Sequence, residues 1–316
     1  YLGAPDGAKQ SHRLVFAGVV GAVAVGNAVR LALSDGGARL EERMVNPNTY
    51  AGSGGTEGGD DLKGKRKPWC GGTVKNVPAV LVDAANLIYQ VSDGAIQDVP
   101  AVYDRGIALS KVGSSPGAGE YSVDTANGRF TLGATPAGTV TADVEGDASG
   151  DGYTAATGAL VRRILTARGG IASGELEPVS FDRFASTVTA TVGIWVGTEP
   201  VSCAQVVGEL LDNVGAFGGF TPLGQFAIAR LDLPTGVPVA SYSTDDIGEI
   251  ERTPLPGAVE PVAWRVAVGW QRNYTVQTDL AAAVSDAQRV FAAAPERVAV
   301  EESSTVKTQR RLAVEY

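Results

Sequence analysis

The sequence predicts a mainly β protein. It should comprise an N-terminal antiparallel β-sandwich or barrel-like domain over residues 1–148 and an α+β domain with an antiparallel sheet over 149–316. Three observations predict this. Short apolar runs alternate with polar residues at the period of a strand. Glycine (41 of 316 residues) and proline (16) punctuate those runs as turns, at spacings of about 8–12 residues. Helical periodicity enters only after residue 153, beyond a Gly- and Asp-rich stretch at 145–153.

Taken in order, residues 13–20 and 27–34 read as two buried strands, with Val29, Leu31 and Leu33 alternating with Arg30, Ala32 and Ser34. The run from Leu14 to Val25 also has the length and flank of a signal-peptide core. It is too short to span a bilayer, which needs about 20 apolar residues, and glycines interrupt it. A chain beginning on Tyr1 is expected to be part of a longer or processed product. Residues 46–76 read as a long polar loop in which little can be buried except Tyr50, Leu62 and Trp69. Such loops are usually functional or interface arms. Strands are expected at 79–83, 87–91, 96–102, 107–109, 121–123, 129–132 and 139–144. Helices are expected at 154–168, where Leu160 and Ile164 share a face, near 181–186, and at 203–214, where Val206, Val207, Leu210, Leu211 and Val214 form a stripe. Residues 188–196 read as a strand, 217–231 as a hairpin and 280–294 as helical. Residues 261–270 form a further strand in which Trp264, Val266, Val268 and Trp270 face the core.

Composition excludes several functions. His12 is the one histidine, and Cys70 and Cys203 are the two cysteines. Two-histidine metal centres and four-cysteine zinc or iron–sulfur sites therefore cannot form within one chain. A net charge of −9 opposes duplex-DNA binding by phosphate neutralisation. Residues 59–66 (GDDLKGKR) match a phosphate loop except that Arg66 stands where Ser or Thr is needed, and neither strand nor helix flanks them. Residues 113–117 (GSSPG) match a nucleophile elbow without its strand–helix context. Residues 147–152 imitate half a calcium loop but lack the bidentate Glu at position 12. Adjacent acids such as Glu175/Glu177, Asp245/Asp246 and Glu301/Glu302 are expected by chance. No catalytic residue, metal ligand or cofactor site is predicted. The basic run Lys63, Lys65, Arg66 and Lys67 is expected to dock on an acidic neighbouring subunit.

A set of ordered segments points further. Residues 52–58 (GSGGTEG), 62–64 (LKG), 67–71 (KPWCG) and 76–78 (NVP) lead to 81–83 (LVD) and 87–91 (LIYQV). Then come Asp93-Gly94, 102–106 (VYDRG), 130–132 (FTL), 162–165 (RRIL) and 273–277 (NYTVQ). In that order they resemble the tail-tip, or baseplate hub, proteins of long-tailed bacteriophages and related gene transfer particles.

The resemblance covers most of the chain and carries no catalytic motif. It implies a non-enzymatic virion protein located at the tail tip. It implies a homo-oligomeric ring, usually a trimer, that closes the tail tube and opens for DNA in transit. Its implied partners are the distal tail protein, tail fibre or spike proteins and the tape measure protein. No membrane span and no cofactor belong to that picture. The expected interface residues are Lys63, Lys65, Arg66, Lys67, Trp69, Tyr89, Tyr103 and Arg105. The chain is short for such a hub and lacks an obvious fibre or lysis module. The alternatives are a receptor- or carbohydrate-binding tail-tip protein using Trp195, Trp264, Trp270, Tyr274 and Phe291, and a two-carboxylate glycan hydrolase.

Overall fold

The computed structural model describes residues 13–310 apart from 27, 231, 233–237, 239, 250 and 252–262. The chain divides into two compact units, Tyr1–Leu231 with Asn273–Pro295, and Asp232–Arg272 with Glu296–Tyr316.

The first unit opens with an antiparallel hairpin of β1 (Val19–Val25) and β2 (Val29–Ser34). Strands were expected here, but buried ones; every residue of both is exposed. A short helix not foreseen in the sequence, α1 (Gly37–Glu42), buries Leu40. Residues 43–68 then wind without regular strand. Tyr50 and Leu62 are buried against Val82 in a small core of their own, as the apolar minority of that loop predicted.

The loop ends earlier than expected, because β3 (Trp69–Pro78) is a central strand. Gly71, Gly72, Lys75 and Asn76 give this stretch a loop-like composition. Yet Gly72 (φ +67°) and Gly193 let two backbones close together. A Cβ on Gly72 would lie 2.0 Å from the Val192 carbonyl oxygen, a distance only glycine permits.

Seven of the expected strands follow with small shifts of boundary. With one unforeseen strand, β8 (Ser110–Val112), they are β4 (Val80–Asp83), β5 (Ile88–Gln90), β6 (Ile96–Asp104), β7 (Ile107–Ala108), β9 (Glu120–Asp124), β10 (Arg129–Leu132) and β11 (Val140–Asp147). They form sheets in the orders β4-β5-β10-β9-β8 and, with β12 (Gly193–Val196), β12-β3-β11-β6-β7. All pairings are antiparallel except the parallel β8–β9. Neither sheet closes into a barrel.

The two sheets share one core, Val77, Val102 and Val144 from one and Tyr121, Phe130 and Leu132 from the other, the arrangement of a sandwich. Tyr121 also donates its hydroxyl to the Val99 carbonyl (3.0 Å) across the gap.

The second core lies on the other side of β3. It gathers α2 (Thr157–Arg163), which continues as a π-helical turn through Arg168, with α3 (Pro178–Thr187) and α4 (Cys203–Asp212). The hairpin of β13 (Ala216–Phe220) and β14 (Phe226–Arg230) completes it. Local chemistry explains the helix starts. Glu177 accepts from the Val179 and Ser180 amides ahead of Pro178, and Ser202 accepts from Gln205. Leu160, Ile164, Phe184, Val206 and Leu210 pack there with Trp69. Adjacent residues of β3 thus feed opposite cores, Trp69 one and Cys70 the other. Because β12 pairs with β3, the chain has no boundary at 148/149, where the sequence composition had placed one.

Residues 273–295 return to this unit through Asn273, which bridges Lys75. The segment carries α5 (Asp286–Ala293), shorter than the helix expected over 280–294. In the second unit, β15 (Arg265–Trp270) pairs with β16 (Arg297–Glu302), followed by α6 (Ser304–Arg310). Trp264 is buried, but Val266, Val268 and Trp270 are exposed rather than in a core. Residues 261 and 262 of the expected strand lie outside the described residues.

Candidate assembly surfaces

The basic run of the 46–68 loop does not act as one patch. Lys67 turns inward, its Nζ 2.6 Å from Glu57 Oε1 and 5.5 Å from the Tyr50 ring. That lysine hydrogen bond, with the Ala51 amide, holds the Glu57 carboxyl below the usual carboxylate range. Arg66 donates to the Pro47 carbonyl (2.5 Å). Lys63 and Lys65 alone point outward. The loop is anchored by Tyr50, whose hydroxyl donates to Gln90 Oε1 (2.8 Å), and by Gln90, which donates to the Ser92 carbonyl. In the phosphate-loop look-alike, the Leu62 and Lys65 amides donate back into their own turn.

The other expected interface residues divide in the same way. Trp69 and Tyr89 are buried, Tyr89 stacked on Phe130 at 5.3 Å. Both belong to the protein's own cores, so neither reaches an outer surface of this chain. Tyr103 is half-buried and donates to Asp143 Oδ2 (3.2 Å). Burial and that carboxylate push its phenol up to about 12. Arg105 adopts φ +48° and pairs with Asp279 at 2.6 Å, pinning residues 273–295 to the β6–β7 turn.

Two buried carboxylates that sequence reasoning did not single out as structural hold this region together. Register shifts in β11 around Asp143 mark a bulge, a device that re-aims a side chain. Asp143 accepts from Lys75 Nζ (2.8 Å), the Asn76 amide (3.0 Å) and Tyr103. Asp147, first residue of the calcium-loop look-alike, accepts from the Trp69 indole (3.2 Å) and from Ser149. The guanidiniums of Arg163 and Arg168 each stand 3.9 Å away. These donors and two positive charges already surround Asp147, so its environment disfavours a cation.

The remaining chemically suggestive residues are also in structural use. Cys70 and Cys203 are fully buried. Burial pushes the Cys203 thiol up to about 11 although Arg168 and Arg43 pull it down. Thiols held so far above neutral pH are inert. Glu175 pairs with Arg39 at 2.8 Å, Glu177 caps α3, and Asp246 accepts from Ser243. In the GSSPG segment, the Gly117 amide is held by Glu120. His12 lies outside the described residues.

Of the five aromatics weighed as a stacking face, Trp264 and Phe291 are buried. Trp195 packs edge-on against Tyr274, and Trp270 alone is exposed. No helix among the described residues is long and apolar enough to cross a membrane.

Three surface features of the first unit remain. A cleft of about 280 Å³ has an apolar floor of Leu40, Val207, Leu211 and Phe226 and an acidic rim including Glu41 and Asp212. A second, of about 460 Å³, is lined by Arg43, Arg66 and Arg168. The third is the β1–β2 hairpin, whose Val19, Val20, Val23, Val25, Val29, Leu31 and Leu33 are all exposed. Its apolar run was legible in the sequence; its exposure was not. The missing clue was that Val19–Val25 contains no polar residue, so no solvent face was ever encoded.

No protein-family model, curated protein or solved structure matches this chain.

Proposed function

We propose that this chain is a structural subunit of a bacteriophage tail tip. In this reading it is a hub that assembles as a ring, closes the tail tube and joins the distal tail protein to fibres or a spike. The tape measure protein meets it from the tube side, and the ring opens for DNA in transit. The observation that carries the reading is the β1–β2 hairpin, a surface of seven exposed aliphatic side chains. Contiguous apolar surface of this kind marks a protein interaction site.

The segments that carry the resemblance support the same reading. Asn76-Val77-Pro78 closes β3, Leu81-Val82-Asp83 lies in β4, Val102 to Gly106 runs from the end of β6 through the β6–β7 turn, and Phe130-Thr131-Leu132 lies in β10. They are scaffold positions, and the buried carboxylates beside them are committed to hydrogen bonds within the fold.

Immunogold labelling of phage-like particles with an antibody against the chain tests this. The expected result is label at the distal end of the tail, with particles made without the chain lacking the tip. Label found away from every particle would overturn the proposal.

A further inference from the structure

The β1–β2 hairpin sorts its side chains by size. Val20 sits opposite Leu33, Val23 opposite Leu31 and Val25 opposite Val29. Directly opposed residues share a face. Val20 and Val23 are an odd number of residues apart, which alone would place them on opposite faces. The register shift between Val20 and Ala22 absorbs the difference. Six of the seven large aliphatics therefore fall on one face, and Val19, opposite Ser34, falls on the other with Ala22, Ala24, Arg30 and Ala32. Each of the six is between 50% and 79% exposed.

We infer that this aliphatic face is covered, in the assembled protein, by the same hairpin of a second copy of the chain. The inference rests on the assembly reading above and names one surface through which copies of the chain meet. Area is the first argument. The six side chains leave on the order of 500 Å² of aliphatic surface open, at the upper end of what a monomer carries. Two such faces pressed together remove about 1,000 Å² from water, where specific interfaces begin.

Charge is the second argument. The face itself carries none, and Arg30, the hairpin's one charged residue, lies on the reverse. A nucleic acid or a charged partner has nothing there to hold. An identical face matches it in length and chemistry. The third is incompleteness. Among the described residues the sheet has two strands and no third, and a two-stranded ribbon is marginal until another layer covers it. Copies related by a symmetry axis turn the same face toward that axis, so one surface serves every subunit.

The experiment uses the full chain in three forms. V29C places a thiol on the aliphatic face, and A24C places one on the reverse. The native thiols are fully buried, so a short bismaleimide reports only the introduced cysteine. V23D/L31D introduces charge into the face, with circular dichroism to check folding and light scattering to read mass.

The expected results are an oligomeric native chain, covalent dimers from V29C but not from A24C, and at least tenfold weaker association of V23D/L31D. A native oligomer in which V29C fails to cross-link, or in which V23D/L31D keeps the native mass, overturns the hairpin contact and leaves the ring reading standing. A native chain that is monomeric at every concentration overturns both. Co-flotation of the native chain, but not V23D/L31D, with phosphatidylcholine vesicles would identify lipid as the occupant and also overturn the inference.

Discussion

The indole N–H of Trp69 donates to the carboxylate of Asp147 across 3.2 Å, joining the first residue of β3 to the last residue of β11. Both side chains are buried, and Arg163 also donates to the Asp147 carbonyl (2.5 Å). The contact ties the strand shared by both cores to the start of the helical layer. Replacing Asp147 tests how much rests on it. Asp147→Ala removes the carboxylate that faces two guanidiniums and leaves the indole donor unpaired, and is expected to cost about 3–5 kcal/mol. Asp147→Asn keeps an acceptor and should cost about 1–3 kcal/mol. Urea denaturation checks both, and equal losses would remove the charge from the argument.

Asn273 is the second point of attachment. Its side-chain amide donates to the carbonyls of Phe291 (3.2 Å), Ala292 (3.0 Å) and Ala294 (2.9 Å), and its oxygen accepts from Asn76 Nδ2 (2.6 Å). One side chain thus closes the 273–295 segment on itself and fixes it to β3. Asn273→Ala is expected to cost about 2–4 kcal/mol, since the Ala294 carbonyl loses this donor, those of Phe291 and Ala292 each lose one of two, and the Asn76 amide loses this acceptor. The loss should appear as faster amide exchange in α5 with little change in α3. Unchanged exchange in α5 would show that the segment is held by Arg105–Asp279 instead.

These two clasps show what the sequence could and could not convey. Alternation and turn spacing placed β4 through β7 and β9 through β11, because those signals are local. The stripe of Val206, Val207, Leu210 and Leu211 placed α4 for the same reason. Asp143 read as one residue of an expected strand and Asp147 as part of the Gly- and Asp-rich stretch, since the Tyr103 and Trp69 donors that define them come from 40 and 78 positions away. β3 read as loop because its glycines mark close approach of another backbone, which composition cannot distinguish from a turn. Trp69 and Tyr89 were expected at an interface, and only the packing shows that Trp69 belongs to the helical core and Tyr89 to the sandwich. The hairpin was legible as strands, but exposure is a property of the packing around it and not of its own alternation.

Alkaline pH should unfold the protein earlier than its acidic composition suggests. Cys203 titrates at about 11 and Tyr103 at about 12 in the folded chain, against about 8.5 and 10 when unfolded. Above pH 9 the unfolded chain therefore releases protons that the folded one retains. Their contribution to stability is fully present below the unfolded values and is lost as pH rises through the folded ones. For each such group, the loss is about 1.4 kcal/mol per pH unit in that window. Urea midpoints measured between pH 8 and 11 should fall steadily. Cys203→Ala should flatten the fall between pH 9 and 11 by the share of one proton, whatever it does to stability at pH 7. An unchanged slope would mean that the thiol is not the group responsible.

The approach of β12 to β3 gives the sharpest steric prediction. A Cβ on Gly193 would stand 1.9 Å from the Thr73 carbonyl oxygen, with backbone rather than a flexible side chain in the way. The pair Gly193–Gly72 begins the β12–β3 ladder, so neither strand can step aside without breaking it. Gly193→Ala should therefore detach β12, exposing Ile194 and Val196, which belong to the helical core. The cost is expected at about 3–5 kcal/mol, in the range reserved for changes that force backbone apart. Gly208→Ala is the matched control, since Gly208 lies within α4 and a Cβ there meets nothing. That substitution should be neutral or raise stability by up to about 1 kcal/mol, because alanine favours helix. Thermal unfolding of the two variants side by side separates a steric effect from a general sensitivity to alanine. If Gly193→Ala melts with the native protein, the β3–β12 pairing is not held as closely as this register requires.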